Sequence, residues 1–172
     1  MNRGQLLSRL DKAWQEFVES HAGLSEELLL KPGVTGLWSV RDIIAHVTTW
    51  EEEALRHLPT ILKAGTTPRY STEYGGIDAF NALMTEKKRN LSLAEIVRER
   101  DDVHQRLVSY LHDVPEEEVS SDTRFRRRLR LDTYGHYPKH TQGIRRWRER
   151  VGFSNSGGPG QKTAQSELWS QN

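Results

Sequence analysis

The sequence predicts an all-α fold, a bundle of four long helices. Three observations predict it. Apolar residues recur at three- and four-residue steps in separate stretches, the spacing of one helix face. Two of those stretches open on a capping signal. No stretch alternates apolar and polar residues as a half-buried strand would.

The first helix spans Arg3 to about His21, with Leu6, Leu7, Leu10, Trp14, Phe17 and Val18 on one face, and Gly23 stops it. Leu24 to Leu28 reads as a single short turn, followed by a loop at Lys31-Pro32-Gly33 and Gly36. Ser39 with Asp42 opens the second long helix, a capping box with Asp in place of Glu. Its stripe runs from Val40 through Ile43, Ile44, Val47, Trp50 and Ala54 to Leu62, with Pro59 expected to kink or weaken the last turn. Thr66 to Gly76 is rich in Thr, Pro, Tyr and Gly and reads as a connection. Ile77 to about Lys88 is a helix. Ser92 with Glu95 is a full capping box and opens a helix toward His112.

Pro115 and Glu116 to Glu118 are expected to begin a loop. Residues 123–131, TRFRRRLRL, carry five arginines and are expected to form an exposed, partly extended connection. The last helix runs to about Val151, with Ile144, Trp147 and Val151 inward. Pro138 falls in its first turn if it starts near Gly135, and deeper if Asp132 caps it. From residue 153 the chain is rich in Gly, Ser, Gln and Asn without periodicity, which predicts a disordered tail over 153–172 behind one domain at 1–152.

Composition narrows the function. The chain has 172 residues, 25 basic against 24 acidic, and a net charge of +1. No global field draws it to nucleic acid or a membrane, so neither is an expected partner. The absence of cysteine removes thiolate nucleophiles and Cys-ligated zinc. No apolar run reaches the ~20 residues that span a bilayer. With charges where a signal peptide needs apolar residues, the expectation is a cytoplasmic protein.

His136 and His140 carry the chemistry. Four residues apart on a helix, two imidazoles stand on one side, one turn above the other, and both can reach one divalent cation. His46, on the edge of the second helix's stripe, is the third candidate. Glu53 shares that edge, two turns on, as a fourth ligand or general base, while Glu51 and Glu52 read as a solvated charge run. Tyr134 and Tyr137 flank the histidines, Tyr137 as a further catalytic candidate, and Trp38, Trp50 and Tyr134 as pocket walls. His57, His104 and His112 sit among charged neighbours and read as surface residues. The five arginines of 123–131 form a basic patch that a solvated loop also explains.

Three segments resemble a known family: KPGVTGLWSVRDIIAHVTTWEEEAL at 31–55, YGGIDAFNALMTEKKRNLSLAEI at 74–96, and LRLDTYGHYPKHTQGIRRWRER at 129–150. They are similar to the DinB/YfiT-like metalloenzyme superfamily, and most to its ClbS/DfsB branch. The resemblance implies an up-down-down-up four-helix bundle with short extra helices. It implies a divalent metal, nickel or zinc, on His46, His136 and His140. It also implies a small electrophile or thiol as partner, hydrolysed or joined in a detoxification or stress role, and it allows a homodimer. Members differ in reaction and in whether they use a metal. The alternatives are a binding protein that sequesters a small ligand without turnover, and a stress protein touching nucleic acid through the arginine patch.

Overall fold

The computed structural model describes residues 1–152, so the expected tail at 153–172 lies outside the described residues. The helices are α1 (Arg3–His21), α2 (Glu26–Leu30), α3 (Val40–Leu62), α4 (Tyr70–Glu73), α5 (Ile77–Lys87), α6 (Leu93–Asp113), α7 (Glu116–Ser120), α8 (Arg124–Asp132) and α9 (Tyr137–Arg150). Among the described residues the one β feature is an isolated bridge between Thr35 and Trp38. No helix there is long and apolar enough to cross a membrane.

The starts of the long helices follow their caps. Ser39 accepts from the Asp42 amide while Asp42 reaches back to the Ser39 amide, and Ser92 with Glu95 does the same. Asn2 and Gln5 form a third such box at α1. The core is their shared apolar stripe, including Leu6, Leu10, Phe17, Ile43, Ile44, Leu58, Leu107 and Ile144, all fully buried.

Three arginines fix how the long helices run. Arg3, at the start of α1, donates to the carbonyls of His112 and Val114 at the end of α6. Arg41, at the start of α3, donates to the carbonyls of Lys88 and Arg89 just before α6. Arg148, near the end of α9, donates to Ser20 and Ala22 at the end of α1. Thus α1 opposes α6, α3 runs with α6, and α9 runs with α1. The order is up-down-down-up, as expected. Each guanidinium also satisfies carbonyls that a helix end leaves open.

Three stretches expected as loops are helical. Tyr70–Glu73 forms a short turn inside the 66–76 connection. Glu116–Ser120 is a turn of helix that buries Val119. Residues 124–132 form α8, capped by Thr123, whose hydroxyl accepts from the Arg126 amide. Phe125 and Leu129, four apart among the arginines, are fully buried, and that pair anchors the helix against the bundle. α3 runs through Pro59 to Leu62.

Replacing Phe125 with alanine is therefore expected to cost about 3–5 kcal/mol, as for a large buried aromatic. Urea unfolding measures it. A loss below about 0.5 kcal/mol, the range of surface substitutions, would mean that this segment is the exposed connection its charges suggest.

Candidate metal centre

The turn between α8 and α9 places the first histidine. Gly135 donates its amide to the Arg130 carbonyl at 2.9 Å. A Cβ at Gly135 would lie 2.6 Å from that oxygen, so only glycine fits. His136 then occupies the position just before α9, and Pro138 sits in the first turn, where its missing N–H costs nothing. His140 follows one turn on.

Those two rings meet His46 of α3. His46 Nε2 lies 3.2 Å from His136 Nε2, and His140 Nε2 lies 2.9 Å from it. One ligand atom from each residue falls within 4.8 Å of the others. His46 and His140 are buried. Burial holds all three rings well below the ordinary histidine value: His46 to about 2, His140 to about 3 and His136 to about 4. They also repel one another's charge, and Lys139 adds to the effect. The rings are neutral near pH 7, the form that ligates metals.

The donor set fits a divalent ion. Nitrogens at about 2.0–2.1 Å from one cation stand roughly 2.9–3.4 Å apart in octahedral or tetrahedral arrangements, which matches the two short separations here. With their protons on Nδ1, three neutral imidazoles turning Nε2 inward present three lone pairs to one ion.

The triad forms one wall of a cavity of about 1020 Å³. Trp38 stands 4.9 Å from His46 between ring centroids, and Trp50 stands 6.0 Å from His136. Trp50 donates to Asn81 Oδ1 at 3.2 Å, which ties α3 to α5. Both tryptophans line the cavity.

The other expected residues lie elsewhere. Tyr134 is buried under Arg9, 5.6 Å from its ring, and is not among the lining residues. Tyr137 is fully buried and donates its hydroxyl to Glu51 inside the core. Glu53 does not reach the cavity itself. It accepts from Tyr70, whose hydroxyl is 2.5 Å away and whose ring does line the cavity. Its other neighbours are His57 Nε2 at 3.0 Å and Arg56 Nη1 at 3.5 Å.

The acidic run is not solvated. Glu51 and Glu53 are both buried, and only Glu52 is partly open. His57 and His104 are not surface residues either. His57 is buried beside Glu53, and His104 stacks on Trp14 at 3.7 Å with Nδ1 2.8 Å from Glu51. Each buried carboxylate has a histidine beside it, though at Glu51 both partners sit on Oε1 and Oε2 has none among the described residues.

Sequence reasoning missed Tyr70, Arg128 and Asp132, which line the cavity together. Arg128 donates Nε to Asp132 Oδ2 at 2.5 Å and Nη2 to the Tyr70 hydroxyl at 2.8 Å. Burial pushes the Asp132 carboxyl up to about 7 against the pull of Arg128. Burial, and then the bond to Glu53, hold the Tyr70 phenol above its ordinary range. The signal was the four-residue Arg128–Asp132 spacing, visible only if the segment is taken as a helix.

The sequence pattern of the DinB superfamily matches residues 9–143. No curated protein matches the chain. Among solved structures, an uncharacterised protein from Escherichia coli UTI89 superposes with a TM-score of 0.75 at 17% identity, covering 89% of this chain and 96% of that one. The colibactin self-resistance protein ClbS, in complex with a dsDNA, gives 0.71 at 14% identity over 84% and 94%. DfsB, described as a sibling lethal factor precursor, gives 0.74 at 13% identity over 88% and 97%. At these identities the likeness is one of fold.

The lowered histidines make stability depend on pH. Below about 6.5 the unfolded chain takes up protons that buried His46, His136 and His140 refuse until about pH 4 to 2. His21, also held near 4, adds to the trend, and Asp132, shifted upward, offsets part of it. The metal-free protein is therefore expected to hold its full Tm above pH 6.5 and lose it steadily toward pH 4. His46→Gln with His140→Gln should flatten that slope. An identical slope in the variant would mean that the rings titrate normally.

Proposed function

The chain belongs to the DinB superfamily, and on that footing we propose that it is a metal-dependent enzyme acting on a small electrophile, by hydrolysis or by transfer of a thiol. The observation that carries this reading is the convergence of three neutral Nε2 atoms on the wall of a cavity large enough for a small molecule. His46, His136 and His140 would hold the ion, nickel or zinc as the family resemblance implies, and imidazole nitrogens suit either. When bound, a divalent ion there supplies Lewis acidity, which makes an incoming water or thiol more acidic.

The chain's own residues do the rest. Trp38 and Trp50 offer flat apolar faces to the body of the electrophile and exclude water from it. The Tyr70 hydroxyl stands between the cavity and the Glu53–His57 pair, so a proton leaving the nucleophile has a route inward through Tyr70 to Glu53. Glu53 thus keeps the part of general base, at one remove. Tyr137 is a positioning residue, since its hydroxyl is committed to Glu51. Opening an electrophile suits a resistance role, and the structural neighbour ClbS is a colibactin self-resistance protein.

The ClbS complex with duplex DNA favours a second reading and withdraws the expectation that nucleic acid is no partner. Against it, the α8 arginines are largely engaged within the chain. Arg124 donates to Gly65, Arg126 to Ser120, Arg127 to Asp122 and Arg128 to Asp132. A duplex titration across salt concentrations distinguishes the readings, because phosphate contacts weaken steeply with salt.

Calorimetric titration of tag-free protein with zinc or nickel should show one ion per chain. His136→Ala with His140→Ala should abolish uptake and leave helix content intact. Turnover of an electrophile panel with and without thiols should stop with chelator. Tyr70→Phe should lose about 100-fold in turnover, the scale of a lost general acid–base group, at unchanged metal affinity. Equal turnover by chelated protein would show that the histidines are structural.

A further inference from the structure

Beyond the triad, α9 presents a second feature to the same cavity. Lys139, Gly143, Arg146 and Arg150 all line it. Their spacings of four, three and four residues place them in one stripe along the helix, continuous with His136 and His140. Arg150 donates to the Gly33 carbonyl at 3.3 Å. Lys139 and Arg146 meet no carboxylate among the described residues. Lys139 is near enough to the triad that its charge weighs against protonating all three rings. The cavity's two carboxylates form no ion pair with Lys139 or Arg146 among the described residues. Asp132 is already paired with Arg128, and Asp78 belongs to α5.

Gly143 is the second, independent observation. It lies in the interior of α9, where glycine is less favourable than alanine. The fold does not require it. Its φ is not in the left-handed range, and a Cβ there would meet only Thr35 Oγ1, at an ordinary 3.8 Å. What glycine does provide is an open place on the cavity wall between two unpaired cations.

We propose that Lys139, Gly143 and Arg146 form a seat for an anionic group, so that the substrate of this site carries a carboxylate or phosphate. The proposal rests on the reading of the cavity as a substrate site. At about 1.5 Å of rise per residue, Gly143 lies roughly 5 Å along the helix from His140. The anion therefore stands about one helical turn from the reacting atom. Lys139 and Arg146, seven residues and roughly 10 Å apart, close on it from either side. Such a seat selects small acids over neutral electrophiles of the same shape and fixes which end faces the histidines.

The test uses the full-length, metal-free chain labelled with 15N, titrated with succinate and, separately, with inorganic phosphate. The amide signals of Gly143 and its neighbours should move and saturate for at least one of the two, and the affinity should fall as salt rises. Succinate alone saturating identifies a carboxylate seat, and phosphate alone identifies a phosphate seat. Lys139→Glu with Arg146→Glu should weaken the affinity at least about tenfold. Gly143→Leu, which fills the seat without changing charge, should also abolish the shifts while the helical spectrum persists. Zinc added to the same samples reads the histidine ring signals separately, so loss of the metal reading and loss of the anion seat are distinguishable. Gly143 unmoved by either anion up to about 50 mM, well beyond the range of a charge-assisted site, overturns the proposal. So does an unchanged affinity in the charge-reversed variant. Duplex DNA moving the same amides while neither small anion does would overturn it in favour of a nucleic-acid face.

Discussion

The hydroxyl of Tyr137 bonded to Glu51 is the contact on which the site depends. Glu51 is a fully buried carboxylate in the middle of α3, and such a charge is tolerated only when its partners are in place. One of its oxygens accepts from Tyr137 of α9 and faces His104 of α6, whose ring lies flat on Trp14 of α1. All four long helices thus meet around one carboxylate. Turning α9 about its axis would strand that charge in the core. With the rotation fixed, His136 beside Tyr137, and His140 three residues on, face His46, which precedes Glu51 by five residues on α3. Tyr137, expected to catalyse, has its hydroxyl on Glu51 and sits beside the residues expected to bind metal.

The same burial sets the chemistry. Rings taken out of water resist protonation, so three imidazoles can converge without three charges repelling. The cost is that the unfolded chain takes up protons the buried rings refuse, which ties stability of the metal-free chain to pH. The cavity then divides its labour along α9. His136 and His140 lie at its N-terminal end with Lys139 between them, Arg146 and Arg150 follow, and tryptophans of the α2–α3 connection and α3 form an apolar wall. The fold itself is shared with proteins only 13–17% identical, so a reaction has to be argued from the wall residues and not from the fold.

Much of this was legible in the sequence, and the physical reason is locality. Capping boxes at Ser39 and Ser92 and apolar stripes at helical spacing are signals within one turn or a few, and they place α3 and α6 to within a residue. The HxxxH spacing is local too, as is the position of His46 on its stripe. What failed was long-range. Glu51 reads as solvated until Tyr137, 86 residues away, is known to meet it. Phe125 and Leu129 are two apolar residues inside a run of arginines, too few to outweigh the charges around them, yet the bundle buries both. Once α8 was taken for a connection, Arg128 and Asp132 had no common face, and their junction with Tyr70 was out of reach.

The central claim is that three imidazoles, held by the Tyr137–Glu51 contact, bind one divalent ion. X-ray absorption at the metal edge of protein loaded with one equivalent of zinc or nickel tests it most directly. The account predicts three imidazole nitrogens at about 2.0–2.1 Å in the wild type. In Tyr137→Phe, where α9 loses its anchor, it predicts fewer imidazoles or a spread of distances. A first shell of two imidazoles or fewer in the wild type, with the remaining ligands oxygen, would contradict it.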